Sequence, residues 1–352
     1  MEDNNTLGLA DLLKVVQGDD GELYYNNVRE IHHALAFANE LHQRKQISDL
    51  VNYMISNRIL GMATDFHNAI SEIFRSGSYE LGLEACEYAR GFYPYDPDIL
   101  GNTLRACAGC ADFATGAEIL SQAAKLDKKY WNWRLFIFAL DYYETFFSVA
   151  QPGAELEQAY AEAVELGKEF IEKLPYDERG YNKLAEIYLY KNDYKNAELI
   201  LGQAIFGEVG KPKTHIKAPQ CCVTFLDHIL DNKSSSQDLE RVISVCDKGI
   251  EGTTQEQPSS RIGYFTYRKA LAKDALCVKD GFNSKNKVTE ALLLYQNAYD
   301  MNKDIESYRK TIVERYKILY PYGDETKRKL ITDNTIEMKE TTKTETSEKQ
   351  ES

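Results

Sequence analysis

The strongest constraint in this chain is that it repeats itself. Aligned on an aromatic residue, four segments share a column at Tyr79, Phe113, Tyr160 and Tyr194, spaced 34, 47 and 34 residues apart. The middle spacing is one period plus an insertion of 13. Three residues on stand Gly82, Gly116, Ala163 and Ala197, all small. Four further on come Cys86, Leu120, Gly167 and Leu201, and three beyond those Ala89, Ala123, Phe170 and Ala204. Pro94 and Pro175 then close two of the units. Steps of 3, 4 and 3 trace one face of an α-helix, and small residues on that face let a second helix come close. A period of this length predicts a stack of helical hairpins, each burying its apolar face against its neighbours.

Helix-turn-helix units of 34 residues with this pattern resemble the tetratricopeptide repeat family. The best copy runs from Tyr181-Asn182-Lys183-Leu184-Ala185-Glu186-Ile187-Tyr188 through Asn192-Asp193-Tyr194 to Ala197, Leu201 and Ala204. It matches the family's first-helix aromatic, Leu, small residue and Tyr, and its second-helix Ala, Leu and Ala. The copies starting near Ala63 and Pro97 keep the second helix, but carry Ala69-Ile70 and Thr103-Leu104 where the first helix has Leu and a small residue. The resemblance covers roughly residues 63 to 208. It implies an all-α, right-handed α-solenoid of antiparallel helix pairs.

The organisation that follows is a flexible N-terminal segment over 1–22 and an N-terminal helix pair over 23–62, drawn as Leu23 to Arg44 and Ile47 to Ile59. Repeats occupy 63–211, with the insertion near 131–153. Degenerate repeats and a capping helix follow over 212–322: Ala218 to Asp231, Gln237 to Glu251, Arg261 to Lys279, Lys287 to Asn302 and Asp304 to Tyr320. Beyond Gly323 the chain is Thr, Glu, Lys and Ser with few large apolar groups, so 323–352 is expected to be a disordered charged tail.

Composition narrows the function classes. Lys and Arg number 42 against 55 Asp and Glu, a net charge of −13, which is the wrong sign for gripping phosphates. No apolar run approaches the ~20 residues of a membrane span. The opening Met1-Glu2-Asp3-Asn4-Asn5 lacks the basic and apolar regions of a signal peptide, so the cytoplasm is the expected compartment. Seven cysteines fall at irregular spacings, mostly inside helical apolar patterns, where a thiol packs as a small hydrophobe. Cys107-Ala108-Gly109-Cys110 lacks the two further ligands of a zinc site, and no phosphate-cradling loop, G-x-S-x-G or H-E-x-x-H occurs. No enzyme, cofactor or metal is expected on this basis. The cluster Tyr130-Trp131-Asn132-Trp133-Arg134 is similar to the Asn-Tyr-x-x-Trp repeats of protein prenyltransferase α subunits. That family repeats the motif and this chain has it once, so these aromatics are read as core and groove lining.

In the family the first helix of each pair lines a concave groove that holds extended peptides. Projecting the register places His67, Asn68, Ser71 and Arg75 there, then Asn102 and Arg105, then Asn132 and Leu135, then Arg179, Asn182, Lys183 and Glu186. Asn68 and Asn102 occupy equivalent positions, and an amide can both donate to and accept from a peptide backbone. The family members that clamp a C-terminal carboxylate need Lys where this chain has His67 or Gly101, so that role is not expected. The expectation is a non-enzymatic scaffold or adaptor binding a protein or peptide. The alternative is a regulatory or sensor subunit gating a separate enzyme chain, with the insertion as its docking ridge.

Overall fold

The computed structural model describes residues 25–207, 216–231, 233–253, 259–302 and 304–324. The two terminal segments, expected to be flexible and disordered, lie outside the described residues apart from Gly323 and Asp324. What is described contains helices and no strand. It falls into two compact units that divide at Pro175 and Tyr176, inside the segment read from sequence as a continuous run of repeats.

The first unit holds eight helices: α1 Val28–Glu40, α2 Arg44–Ser56, α3 Ala63–Arg75, α4 Tyr79–Arg90, α5 Pro97–Cys110, α6 Phe113–Ala124, α7 Trp133–Val149 and α8 Ala154–Lys173. Helices pair in order, α1 with α2 through α7 with α8, and each first helix also packs on the next first helix: α1 on α3, α3 on α5, α5 on α7. That is the stacking the family resemblance implies. The aromatic column marks where second helices begin, since Tyr79 and Phe113 are the first residues of α4 and α6. The small column marks close approach. A Cβ on Gly82 would lie 2.3 Å from the Phe74 ring, and one on Gly116 would lie 2.1 Å from Tyr142.

The hairpin turns share one device. Each first helix ends where the chain crosses into the left-handed region, at His42, Gly77 and Ala111 in this unit and at Asn192 in the other. The amide two residues past the helix then bonds back to it, as Asp112 N to Cys107 O at 2.9 Å and Asp193 N to Tyr188 O at 2.9 Å. The same Asp112 and Asp193 side chains cap the following helix, accepting from Thr115 N and Asn196 N. His42 corrects the long helix expected from Leu23 to Arg44. Asn27 caps its start by accepting from Glu30 N, the turn at His42 ends it, and Arg44 already belongs to α2.

The insertion is accommodated by lengthening one hairpin. Phe147 stands 34 residues after Phe113, where a second helix should open, yet α7 runs through it to Val149 and α8 starts at Ala154. Trp131 locks the hairpin's base. It is buried, its Nε1 donates to Ala123 O at 3.2 Å, and its ring leads into Phe136 and Phe170, which stack 4.9 Å apart.

The second unit contains α9 Glu178–Tyr190, α10 Tyr194–Phe206, α11 Pro219–Thr224, α12 Ser236–Gly252, α13 Ser259–Lys279, α14 Lys285–Met301 and α15 Glu306–Leu319. The helix expected over Ala218 to Asp231 is α only to Thr224 and continues as one π-helical turn, Phe225–Ile229. Ala197, in the small column, is fully buried on α10. Repeats here are held by polar contacts at longer separations than 34: Asn182 to Thr224, Gly263 to Asn302, and Asp274 to Arg315.

Candidate functional site

In the first unit, α3, α5 and α7 pack side by side and carry a line of polar side chains in one register. His67 Nδ1 lies 2.9 Å from the Asn102 amide nitrogen, linking α3 to α5. With that amide donating, Nδ1 accepts and the ring is neutral. Burial, the largest influence, pushes the His67 pKa below its ordinary value, outweighing the nearby Asp98 carboxylate. One repeat on, Asp98 accepts from Asn132 Nδ2 at 2.9 Å and from Arg134 at 3.2 Å, linking α5 to α7. Asn132 also caps α7, accepting from Leu135 N at 3.0 Å. Between these links the Arg105 guanidinium sits over the Phe74 ring at 4.7 Å and the Phe138 ring at 5.5 Å, a half-buried cation held between two aromatic faces.

The structure therefore divides the residues projected onto the groove. Asn68 and Arg75 are exposed on α3, with Arg75 paired to Glu72 at 3.1 Å. Asn102 is not exposed: its accessibility is zero, which corrects the reading of Asn68 and Asn102 as twin exposed amides. The positions are equivalent in register and differ in cover. His67 and α7 close over Asn102, whereas in the preceding repeat the corresponding His33 and Asn68 both remain exposed. Leu135 is likewise fully buried, and the Ser71 hydroxyl turns back to its own helix, donating to His67 O at 2.8 Å. A Cβ on Gly101 would meet Phe138 at 3.1 Å and the Leu135 Cα at 3.3 Å, so the position where clamp proteins carry Lys has no room for one here.

Arg179, Asn182, Lys183 and Glu186 lie in the second unit, on α9. Asn182 is 7% exposed, donates to Glu186 at 2.7 Å and accepts from Thr224 Oγ1 at 2.6 Å, so it pins α9 to α11. Arg179 pairs with Asp177 at 2.5 Å and Lys183 with Glu186 at 3.0 Å. Beside them Glu178 accepts from Gln220 N at 2.9 Å, and burial lifts its carboxyl above the usual range.

Sequence reasoning missed Asp98, Arg134, Phe74 and Phe138. Asp98 reads as an ordinary acidic residue in the first turn of a helix. Its signal was available in its distance of 34 and 36 residues from Asn132 and Arg134, the repeat length itself. The cysteines pack as expected in the apolar interior, and burial pushes the Cys107 and Cys222 thiols up to about 12. Among the described residues no group of three or more His, Cys, Asp or Glu is placed to hold a metal ion, and no helix is long and apolar enough to cross a membrane.

No protein-family model and no curated protein matches the sequence. Among solved structures the chain is similar to a thermophilic TPR protein of Thermus thermophilus, at 12% identity over 72% of this chain and 98% of that one, with a TM-score of 0.38. It is similar also to the C-terminal part of a TPR repeat-containing protein from Cytophaga hutchinsonii, at 10% identity over 85% and 98%, with a TM-score of 0.35. A third likeness, to a structure of Naa15/Naa10 bound to HypK-THB, has 11% identity over 84% of this chain and 46% of that one, with a TM-score of 0.31.

Proposed function

We propose that this chain is a non-enzymatic scaffold that binds an extended segment of a partner protein along the first helices of its first unit. The observation that carries the reading is the unbroken polar line on α3, α5 and α7. Its inner members fix one another, and Asn68, Arg75 and the guanidinium edge of Arg105 face outward in the same register. A surface assembled from several repeats contacts a partner over a length no single repeat supplies. Arg179 and Lys183 of α9 are read as a separate patch of the same kind. The net charge of −13 favours a basic or neutral partner at encounter, while the arginines of the line itself suit backbone carbonyls or an acidic side chain. Free, buried thiols accord with a reducing compartment such as the cytoplasm.

The test is affinity purification from the native cell with mass spectrometry, run in parallel on the parent and on Asn68→Ala/Arg75→Ala. Both positions are exposed, so the double variant should melt like the parent. A stoichiometric partner recovered by the parent should be depleted from the variant; equal recovery refutes the reading. The lengthened α7–α8 hairpin favours a second reading, a regulatory subunit that gates a separate enzyme. Recovery of a single stoichiometric enzyme would select it.

A further inference from the structure

The lengthened hairpin leaves an open trough of about 940 Å³ between α6 and α8, built from second helices rather than from the first helices that carry the polar line. One wall is α6, which presents Ala114, Ala117, Ser121 and Ala124 to solvent at helical spacing, with Leu120 half-buried beside them. The floor is aromatic. Phe113 packs against Tyr142 and Phe146 at 5.8 and 5.3 Å, and Tyr143 follows at 5.8 Å from Tyr142. Two bonds hold that floor in place: Tyr142 OH donates to Phe113 O at 2.8 Å and Tyr143 OH to Glu162 at 2.9 Å. One end is closed by Lys128, which sits 3.7 Å over the Trp131 ring and pairs with Glu169 at 2.8 Å.

The far wall differs in kind. Glu155, Glu162, Glu165 and Glu169 of α8 line it, and Lys128 is the one cationic side chain among the lining residues. Spacings of 7, 3 and 4 put the four carboxylates on a single stripe of α8. Over 14 residues that stripe runs roughly 20 Å at ~1.5 Å per residue, matching a linear partner of three to four helical turns. We propose that this trough docks an amphipathic helix of a partner protein, whose apolar i, i+4 face enters the trough and whose Lys or Arg flank lies along α8. Charge complementarity selects this occupant. A second copy of the chain, at net −13, would bring acid to acid. The chain's own tail carries Lys327, Arg328 and Lys329 ahead of its apolar residues rather than beside them.

The probe is a synthetic peptide of about 18 residues with leucines at i, i+3, i+4 and i+7 and lysines along one flank, titrated into the full chain by fluorescence anisotropy. Saturable binding is expected that weakens as salt is raised. Ala117→Arg, which fills the trough from an exposed position, should weaken it at least about tenfold. Glu155→Lys/Glu165→Lys should weaken it about three- to tenfold. Glu80→Lys/Glu87→Lys on α4, carrying the same change in net charge, should shift it less than about twofold. Melting curves confirm that each variant is folded. No saturable binding, equal binding by a peptide with glutamates in place of the lysines, or equal losses in the α4 control would overturn the proposal. So would a dimer of the parent chain that Ala117→Arg converts to monomer, which would make a second copy the occupant. Tighter peptide binding after deletion of 325–352 would overturn it in favour of the tail. Asn68→Ala/Arg75→Ala should bind the peptide as the parent does, so this surface and the polar line on α3, α5 and α7 fail or stand separately.

Discussion

Replacing Arg315 with Met should unfasten the last helix of the second unit. Arg315 reaches from α15 to Asp274 on α13 with two bonds, Nε to Oδ2 at 2.6 Å and a terminal nitrogen to Oδ1 at 2.7 Å. Tyr295 on α14 donates its hydroxyl to the same carboxylate at 2.8 Å, so one buried acid holds three helices. Asp274 is 2% exposed. Burial first, and the neighbouring carboxylate second, keep the Tyr295 phenol protonated and therefore a donor. Removing one partner of a fully buried pair costs about 3–5 kcal/mol, because the other charge stays desolvated. The Arg315 side chain is 31% exposed, so water already screens part of the attraction, and a loss of about 2–3 kcal/mol is expected. Asp274→Asn/Arg315→Met removes the stranded charge and should recover about half of that. Two compact units make a single global transition unsafe. The readout is therefore native-state hydrogen exchange of α13 to α15 across a denaturant series. A loss below about 0.5 kcal/mol, or a double variant that is merely the sum of the singles, would refute the account of a carboxylate needing its cation.

Ala197→Leu should cost about 1–3 kcal/mol in the second unit, since the position is fully buried where α10 is packed and a longer side chain must displace its neighbours; a parental melting curve would put the repeat register in error. Asn102→Ala should cost about 1–2 kcal/mol, losing the bond to His67 and leaving a gap between α3 and α5, whereas Asn68→Ala should stay within about 0.5 kcal/mol; paired chemical denaturation curves compare them. Acidification should weaken the first unit in a defined window. His67 is held below its ordinary pKa of 6.5 in the fold, so the unfolded chain takes up the proton first, and stability is full above that value and falls as pH drops from about 6.5 toward the lowered one. His67→Gln should flatten this part of the melting temperature against pH; an unchanged slope would show that other groups carry it.

The repeat was legible because close packing leaves a residue-level trace. Gly82, Gly116 and Ala197 must be small, and Asp112 and Asp193 must cap, so these positions keep their chemistry while others drift. The break at His42 left no such trace, since neither Gly nor Pro marks it and the left-handed turn is enforced by packing on both sides. The polar line was partly legible for a related reason. Register finds which residues share a face, but cover depends on what the neighbouring helix brings over it, and the register is blind to that. So Asn68 and Asn102 looked alike, and Asn132 and Asn182 read as surface amides although they join helices across repeats. Asp98 was invisible until its distance from Asn132 was measured in repeat lengths.

The fastening of the second unit's C-terminal end bears on how this unit would yield under force. Arrays of helical hairpins ordinarily peel from a free end, one repeat at a time, because the last repeat has a neighbour on one side only. Here that end is riveted three times over: by Arg315 on Asp274, by the Tyr322 ring stacked 4.4 Å from Phe282, and by Asp324 N donating to Thr289 Oγ1 at 2.9 Å. The slender element is α11, six residues long and followed by a π-helical turn. A pull applied to the chain should therefore rupture this unit at α11 while α13 to α15 come away later as one block, giving the unit the behaviour of a fuse placed near its middle rather than a zipper opening from its end.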